Sequence, residues 1–133
     1  MEVLDNYLKD CNFEKYYKKL VSKLKNKRII VYGSGALFQH IKKKYDLSKF
    51  NIIGISDNKY ILKQEGTLDL GYPIIPKSKL REYNPEVLLL GVQEYVYLLN
   101  NFSNEIFEGK NVKVIPLVRQ PLLKILKKIW FKN

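Results

Sequence analysis

The 133-residue chain is poor in the residues that carry most catalytic and metal chemistry: one cysteine, one histidine, one tryptophan, and three arginines among 24 basic residues. A single Cys11 excludes an internal disulfide, and Cys11 with His40 is too few for a cysteine–histidine metal centre, so no metal is expected. Cys11 reads as a helix-face residue. His40 falls inside a predicted helix, which suits packing better than proton transfer and leaves no Ser-His-Asp arrangement. No apolar run approaches the ~20 residues that cross a bilayer. The start, Met1-Glu2-Val3-Leu4-Asp5, lacks the cationic opening and apolar stretch of a signal peptide, so a cytoplasmic location is expected. The scarcity of arginine also tempers the net charge of +11. Arginine is the residue of bidentate base and phosphate contacts. Here the excess is lysine spread along helix faces, and nucleic acid is disfavoured as a partner.

What is present is a core-forming composition, 46% hydrophobic, with one strongly patterned segment. Arg28-Ile29-Ile30-Val31-Tyr32-Gly33-Ser34-Gly35-Ala36-Leu37-Phe38 reads as a buried strand, a glycine turn and the start of a helix. A second apolar run, Phe50 to Ile55, leads to Asp57, which lies 22 residues after Gly35. Strand, Gly-x-Gly, helix, strand, acid is the opening unit of a Rossmann-type nucleotide-binding fold. Gly33 takes the tight turn, Gly35 lets backbone approach a phosphate, and the helix N-terminus favours an anion. Asp57 stands where an acid accepts from ribose hydroxyls. The third glycine of the pattern is replaced by Phe38, which weighs toward a site that has lost its ligand.

The rest alternates in the same way. Apolar residues at three- and four-residue steps predict helix over 3–26, broken near Asn12. Strands are expected at about 28–33, 50–56, 72–75, 86–92 and 112–116, and helices at about 35–45, 76–83, 94–108 and 121–131. Residues 57–71 form a loop at the ligand edge, and Pro73 puts the third strand at a sheet edge. The expected fold is α/β: a Rossmann-like three-layer sandwich, five-stranded and parallel, of order 3-2-1-4-5, with an added N-terminal helical segment. One domain spans 1–133, divided into the helical segment 1–26, a nucleotide-binding core 27–117 and a basic C-terminal helix 118–133. The crevice lies where strand order reverses, between the ends of strands one and four. Gly33, Ser34, Gly35, Ala36 and Leu37 line one side, Gly91, Val92 and Gln93 the other, with Asp57 and Asn58 at the ribose end.

Gly33-x-Gly35, Ile53-Gly54-x-x-Asp57-Asn58, Gly71-x-Pro73-Ile74 and Val112-x-Val114-Ile115-Pro116 together resemble a family of small Rossmann-like domains of bacterial surface-polysaccharide biosynthesis. Such domains are described as CoA-binding-like or nucleoside-diphosphate-sugar epimerase-like. They precede the catalytic domain of membrane-anchored nucleotide-sugar dehydratases or form the N-terminal domain of sugar acyltransferases. The resemblance covers about residues 27–117. It implies that Gly33, Gly35 and Asp57 help hold a nucleotide-sugar. The chain shows neither hexapeptide repeats nor a second catalytic domain, so neither activity carries over.

No catalytic residue is assigned. Tyr45 and Lys49 match the Tyr-x-x-x-Lys spacing of short-chain epimerases but fall before strand two, where that motif does not work. With ten tyrosines and so many lysines a chance match is expected. A methyltransferase would need more sheet after strand five. The reading is therefore a module that binds NAD or a nucleotide-sugar, not catalytic alone, serving bacterial surface-glycan biosynthesis. The alternatives are an interaction or scaffold domain with a decayed site, or an NAD-dependent sugar-modifying enzyme completed by another subunit. Partners left open are a catalytic protein of a glycan pathway, a second copy, and peripheral membrane contact at the inner face through 119–133. There Leu122, Leu123, Ile125, Leu126, Ile129 and Trp130 share one broad helix face opposite Lys124, Lys127 and Lys128. A last helix of this fold normally packs such a face on the sheet, and that is the expectation.

Overall fold

In a computed structural model, residues 2–130 are described, the side chain of Lys128 excepted. The apolar periodicity of the first two dozen residues forms two helices, α1 (Glu2–Asp10) and α2 (Phe13–Lys23). Asn12 separates them at φ 52°, a left-handed conformation that asparagine tolerates. The run Arg28–Tyr32 is β1, followed by α3 (Ala36–Lys44), β2 (Asn51–Ser56), a short hairpin of β3 (Leu68–Asp69) and β4 (Tyr72–Pro73), then β5 (Val87–Leu90), α4 (Val96–Asn101), β6 (Lys113–Pro116) and α5 (Leu122–Trp130).

The main sheet is parallel and runs β2-β1-β5-β6. Side chains alternate between two layers. Ile29, Val31, Ile55 and Leu89 face α1, α2 and α3 with Leu8, Phe13, Leu20 and Phe38. Ile30, Tyr32, Leu88 and Leu90 face the opposite layer with Leu80, Tyr95, Phe102 and Phe107. This is the Rossmann-like sandwich expected, with one strand fewer. The expected order 3-2-1-4-5 is corrected to four strands. The segment predicted as strand three does lie beside β2, but only Ile74 bridges to Ile55, and the Ile75 amide donates to the Ile55 carbonyl at 2.8 Å. Two causes are visible. Pro73 has no N–H to donate. The Ile74 amide is spent on the Thr67 carbonyl at 2.8 Å, inside the hairpin.

Two helices also differ from expectation. Residues Lys77–Tyr83 wind as a tight 3-10 helix, and the helix at 94–108 is α-helical only to Asn101 before a wide π turn over Phe102–Ile106. A larger correction concerns α5. Its apolar face was expected on the sheet. Instead Leu122, Leu123, Ile129 and Trp130 are more than half exposed, and only Ile125 is half-buried. The α1–α2 pair and the start of the tail, Leu117 and Val118, already cover that layer. The end of the predicted helix, Phe131, lies outside the described residues.

Candidate functional site at the carboxyl edge of the sheet

β1 connects outward to β2 on one side and pairs with β5 on the other, so the order reverses between β1 and β5. The ladder continues one residue past each strand. The Gly33 amide donates to Ser56 O and the Gly91 amide to Tyr32 O, both at 2.8 Å. Gly33 turns at φ +101°, a conformation that favours glycine. Its neighbour across the reversal is Gly91, and the two backbones touch. A β carbon built at Gly91 would lie 2.5 Å from the Gly33 carbonyl oxygen, and one at Gly33 would lie 2.5 Å from Val92 Cγ1. Gly91 and Val92 thus buttress the glycine turn, while the Gln93 carbonyl accepts from Gln120 Nε2 at 2.9 Å.

Ser34 is fully buried, and each of its polar groups is engaged. Its amide donates to Asp57 Oδ2 at 2.8 Å. Its carbonyl accepts from Gln39 Nε2 and Lys59 Nζ, both at 3.0 Å. Its hydroxyl lies 2.6 Å from the Tyr60 hydroxyl, which donates to Asp69 Oδ2 at 2.6 Å. Burial first, and then the Asp69 carboxylate, push the Tyr60 hydroxyl up to about 12. Tyr60 therefore stays a neutral donor at physiological pH. The other Asp57 oxygen accepts from the Lys59 amide at 3.0 Å and caps the 3-10 turn Asn58–Tyr60.

The opening of α3 differs. Gly35 is its N-cap and no side chain caps the helix. A β carbon at Gly35 would meet nothing within 4 Å. The first amides of a helix have no intrahelical partner. Ala36 is exposed, while Leu37 and Phe38 turn into the core. Phe38, in place of a third glycine, is fully buried against that layer.

Beside this turn, at the end of β2, opens a groove of about 610 Å³ lined by Asp57, Asn58, Tyr60, Ile61, Lys63, Pro76, Lys77, Ser78 and Ile106. Asn58 Oδ1 accepts from the Tyr32 hydroxyl at 3.0 Å, which fixes its amide at the rim. The Lys77 ammonium lies 5.5 Å from the Tyr32 ring centre and 5.4 Å from that of Phe102. Of the sequence-derived site residues, Asp57 and Asn58 line the groove, Gly33 and Ser34 form the tied turn, Gly35 to Leu37 open α3, and Gly91 to Gln93 stand behind the turn. Sequence reasoning missed Tyr60, Ile61, Lys63, Pro76, Lys77, Ser78 and Ile106. Three of these were legible as the segment after the third strand. Ile106 comes from the π turn and carried no local signal.

The residues set aside as non-catalytic have structural partners. Tyr45 packs edge-on against Phe13, with ring centres 4.9 Å apart. His40 is buried, with Nε2 2.7 Å from Asp5 Oδ1. Among the described residues no group of three histidine, cysteine, aspartate or glutamate side chains gathers to hold a metal ion.

No family model matches the sequence, and no curated protein matches it. Solved structures do. The chain is similar to RSP, a Rex-family repressor, at 16% identity and a TM-score of 0.49, over 90% of this chain and 66% of that one. It is similar to RSP in complex with β-NAD+ and operator DNA at 18% identity and a TM-score of 0.48, over 90% and 63%. The complex of RSP with β-NADH matches at 16% and 0.47, over 90% and 66%. The chain thus spans slightly less than two thirds of the structures it resembles.

Proposed function

We propose that the chain binds a nucleotide, either NAD-like or a UDP-sugar, in the groove at the end of β2. We read it as a cytoplasmic module of bacterial surface-glycan biosynthesis that turns over no substrate alone. One observation carries the nucleotide reading: the acid after β2 stands at the rim of a 610 Å³ groove and is hydrogen-bonded to the glycine turn that opens an uncapped helix. In this reading the ribose hydroxyls donate to lone pairs of Asp57 that Ser34 and Lys59 leave free. A carboxylate offers about four acceptor sites. The base lies against Ile61, Pro76 and Ile106. The phosphates lie over Gly35 toward the Ala36 amide, with Lys63 and Lys77 supplying positive charge. A 2′-phosphate would meet the Asp57 carboxylate, so NAD is preferred to NADP. The glycan assignment rests on the motif resemblance over residues 27–117.

A scaffold domain with a decayed site is the second reading. It is favoured by the Ser34 amide, which is already spent on Asp57, and by Phe38 at the third glycine position. Mass spectrometry of nucleotide released from the purified chain, followed by thermal-shift screening of NAD, NADP, CoA and UDP-sugars, separates the two. Saturation at a hundred times Kd stabilises by about 2.7 kcal/mol. NAD or a UDP-sugar should raise the melting temperature, and Lys77→Ala should weaken that rise. No shift with any of them leaves the scaffold reading standing.

A further inference from the structure

The outward face of α5 has a composition that the nucleotide site does not explain. Leu122 is 71% exposed, Leu123 68%, Ile129 57% and Trp130 78%, and Leu126 is exposed with them. At 100° per residue these five fall within an arc of about 120°. The helix is held from the other side. Gln120, just before it, is buried, with its amide donating to the Tyr95 hydroxyl at 2.8 Å. Ile125 is half-buried, and the Lys124 ammonium lies 6.0 Å from the Tyr7 ring centre of α1. The contacts of Lys124 and Ile125 with the body of the molecule therefore point the leucine–tryptophan stripe away from it.

Charge selects the occupant. From Lys110 to Asn133 the chain carries Lys110, Lys113, Arg119, Lys124, Lys127, Lys128 and Lys132, and no acid. A second copy of α5 paired through the stripe would cover the apolar residues but leave Lys124 and Lys127, on the other sides of the helix, unneutralised. An anionic bilayer neutralises them and receives the apolar stripe at once. Among the described residues no helix is long and apolar enough to cross a membrane, so the geometry is one of lying on the surface. We propose that α5 docks the protein on anionic lipid, with Leu122, Leu123, Leu126, Ile129 and Trp130 in the headgroup–acyl boundary and Lys127 reaching the phosphate level. The proposal is independent of whether the groove holds a nucleotide.

Trp130 is the sole tryptophan, so its emission reports on this helix alone. The full chain is mixed with vesicles of phosphatidylcholine, with or without one third phosphatidylserine, and assayed by flotation and by Trp130 fluorescence. With phosphatidylserine at low salt the protein should float and its emission shift to the blue. Both effects should fade as salt rises. Lys127→Gln should lower the partition coefficient about fivefold. Leu126→Glu should abolish flotation, and Leu122→Glu, at a side chain 71% exposed, should do the same while melting like the parent. Three results overturn the proposal: a chain that stays soluble with unchanged emission, equal binding to vesicles of phosphatidylcholine alone, or a dimer in sedimentation that Leu126→Glu dissociates.

Discussion

The Ser34 amide donates to the Asp57 carboxylate at 2.8 Å, so the acid that follows β2 holds the glycine turn as well as facing the groove. Removing it has a structural cost separate from any ligand. Asp57→Ala leaves the amides of Ser34 and Lys59 without their acceptor, and a buried unsatisfied donor costs about 1–3 kcal/mol. Asp57→Asn keeps an acceptor oxygen and should recover much of that loss. Urea denaturation of the two variants checks the order, and equal losses would show that the Ser34 bond contributes little.

The contact of Gly33 with Gly91 predicts a sharp contrast among three glycines. Gly91→Ala forces a methyl group to within 2.5 Å of the Gly33 carbonyl, and backbone cannot swing aside as a side chain can. Overpacking of this kind costs about 1–3 kcal/mol. Gly33→Ala adds a left-handed φ to a clash with Val92. Gly35→Ala meets nothing and keeps a negative φ, so it loses only the advantage of glycine as an N-cap and should cost less than either, about 1 kcal/mol at most. Thermal melts of the three variants rank them.

Ser56 precedes Asp57 and pairs with Tyr32 across the sheet, and its buried hydroxyl has no hydrogen-bond partner in the structure. A buried hydroxyl without a partner is destabilising. Ser56→Ala should therefore leave the free protein as stable or make it more so, by about 1 kcal/mol. A clear loss in urea denaturation would mean that the hydroxyl has a partner after all.

Acid should loosen α1 in a defined window. Hydrogen bonds from Lys44, then from His40, hold the Asp5 carboxyl down at about 2 against an ordinary 3.8. A carboxyl depressed by folding stabilises the fold at pH above its unfolded value, and that contribution disappears as pH falls from 3.8 to about 2. Glu65, lowered by Lys79 and Tyr83, titrates in the same direction, so the informative quantity is a difference. Parent and Asp5→Asn should differ in stability near neutral pH and converge at the acid end. A constant difference across that range would place the effect elsewhere.

Much of the frame was legible because single residue types decide it. The unbroken apolar runs of β1 and β5 admit only a doubly covered parallel sheet, and Gly33 fixes where the first ends. Asn12 marked the helix break. What was not legible depends on competition between segments. Whether Tyr72 to Ile75 forms a fifth strand is decided by Thr67, which takes the Ile74 amide. The groove wall joins Ile61, Lys77 and Ile106, which no local pattern connects. For α5 the periodicity gave an apolar face but not its direction. That was settled by α1 and α2, which already cover the sheet.

The most direct test of the nucleotide site is calorimetric titration of the parent chain and of Gly35→Val with NAD, NADP and a UDP-sugar. A β carbon at Gly35 meets nothing within 4 Å, so a valine there starts into open space and its side chain occupies the approach to α3. The parent should bind NAD or the UDP-sugar saturably, NADP more weakly than NAD, and Gly35→Val should lose the heat of binding while still melting cooperatively as a folded chain. No heat from any of these ligands at millimolar concentration, or equal affinity in Gly35→Val, would contradict a nucleotide site at this edge of the sheet.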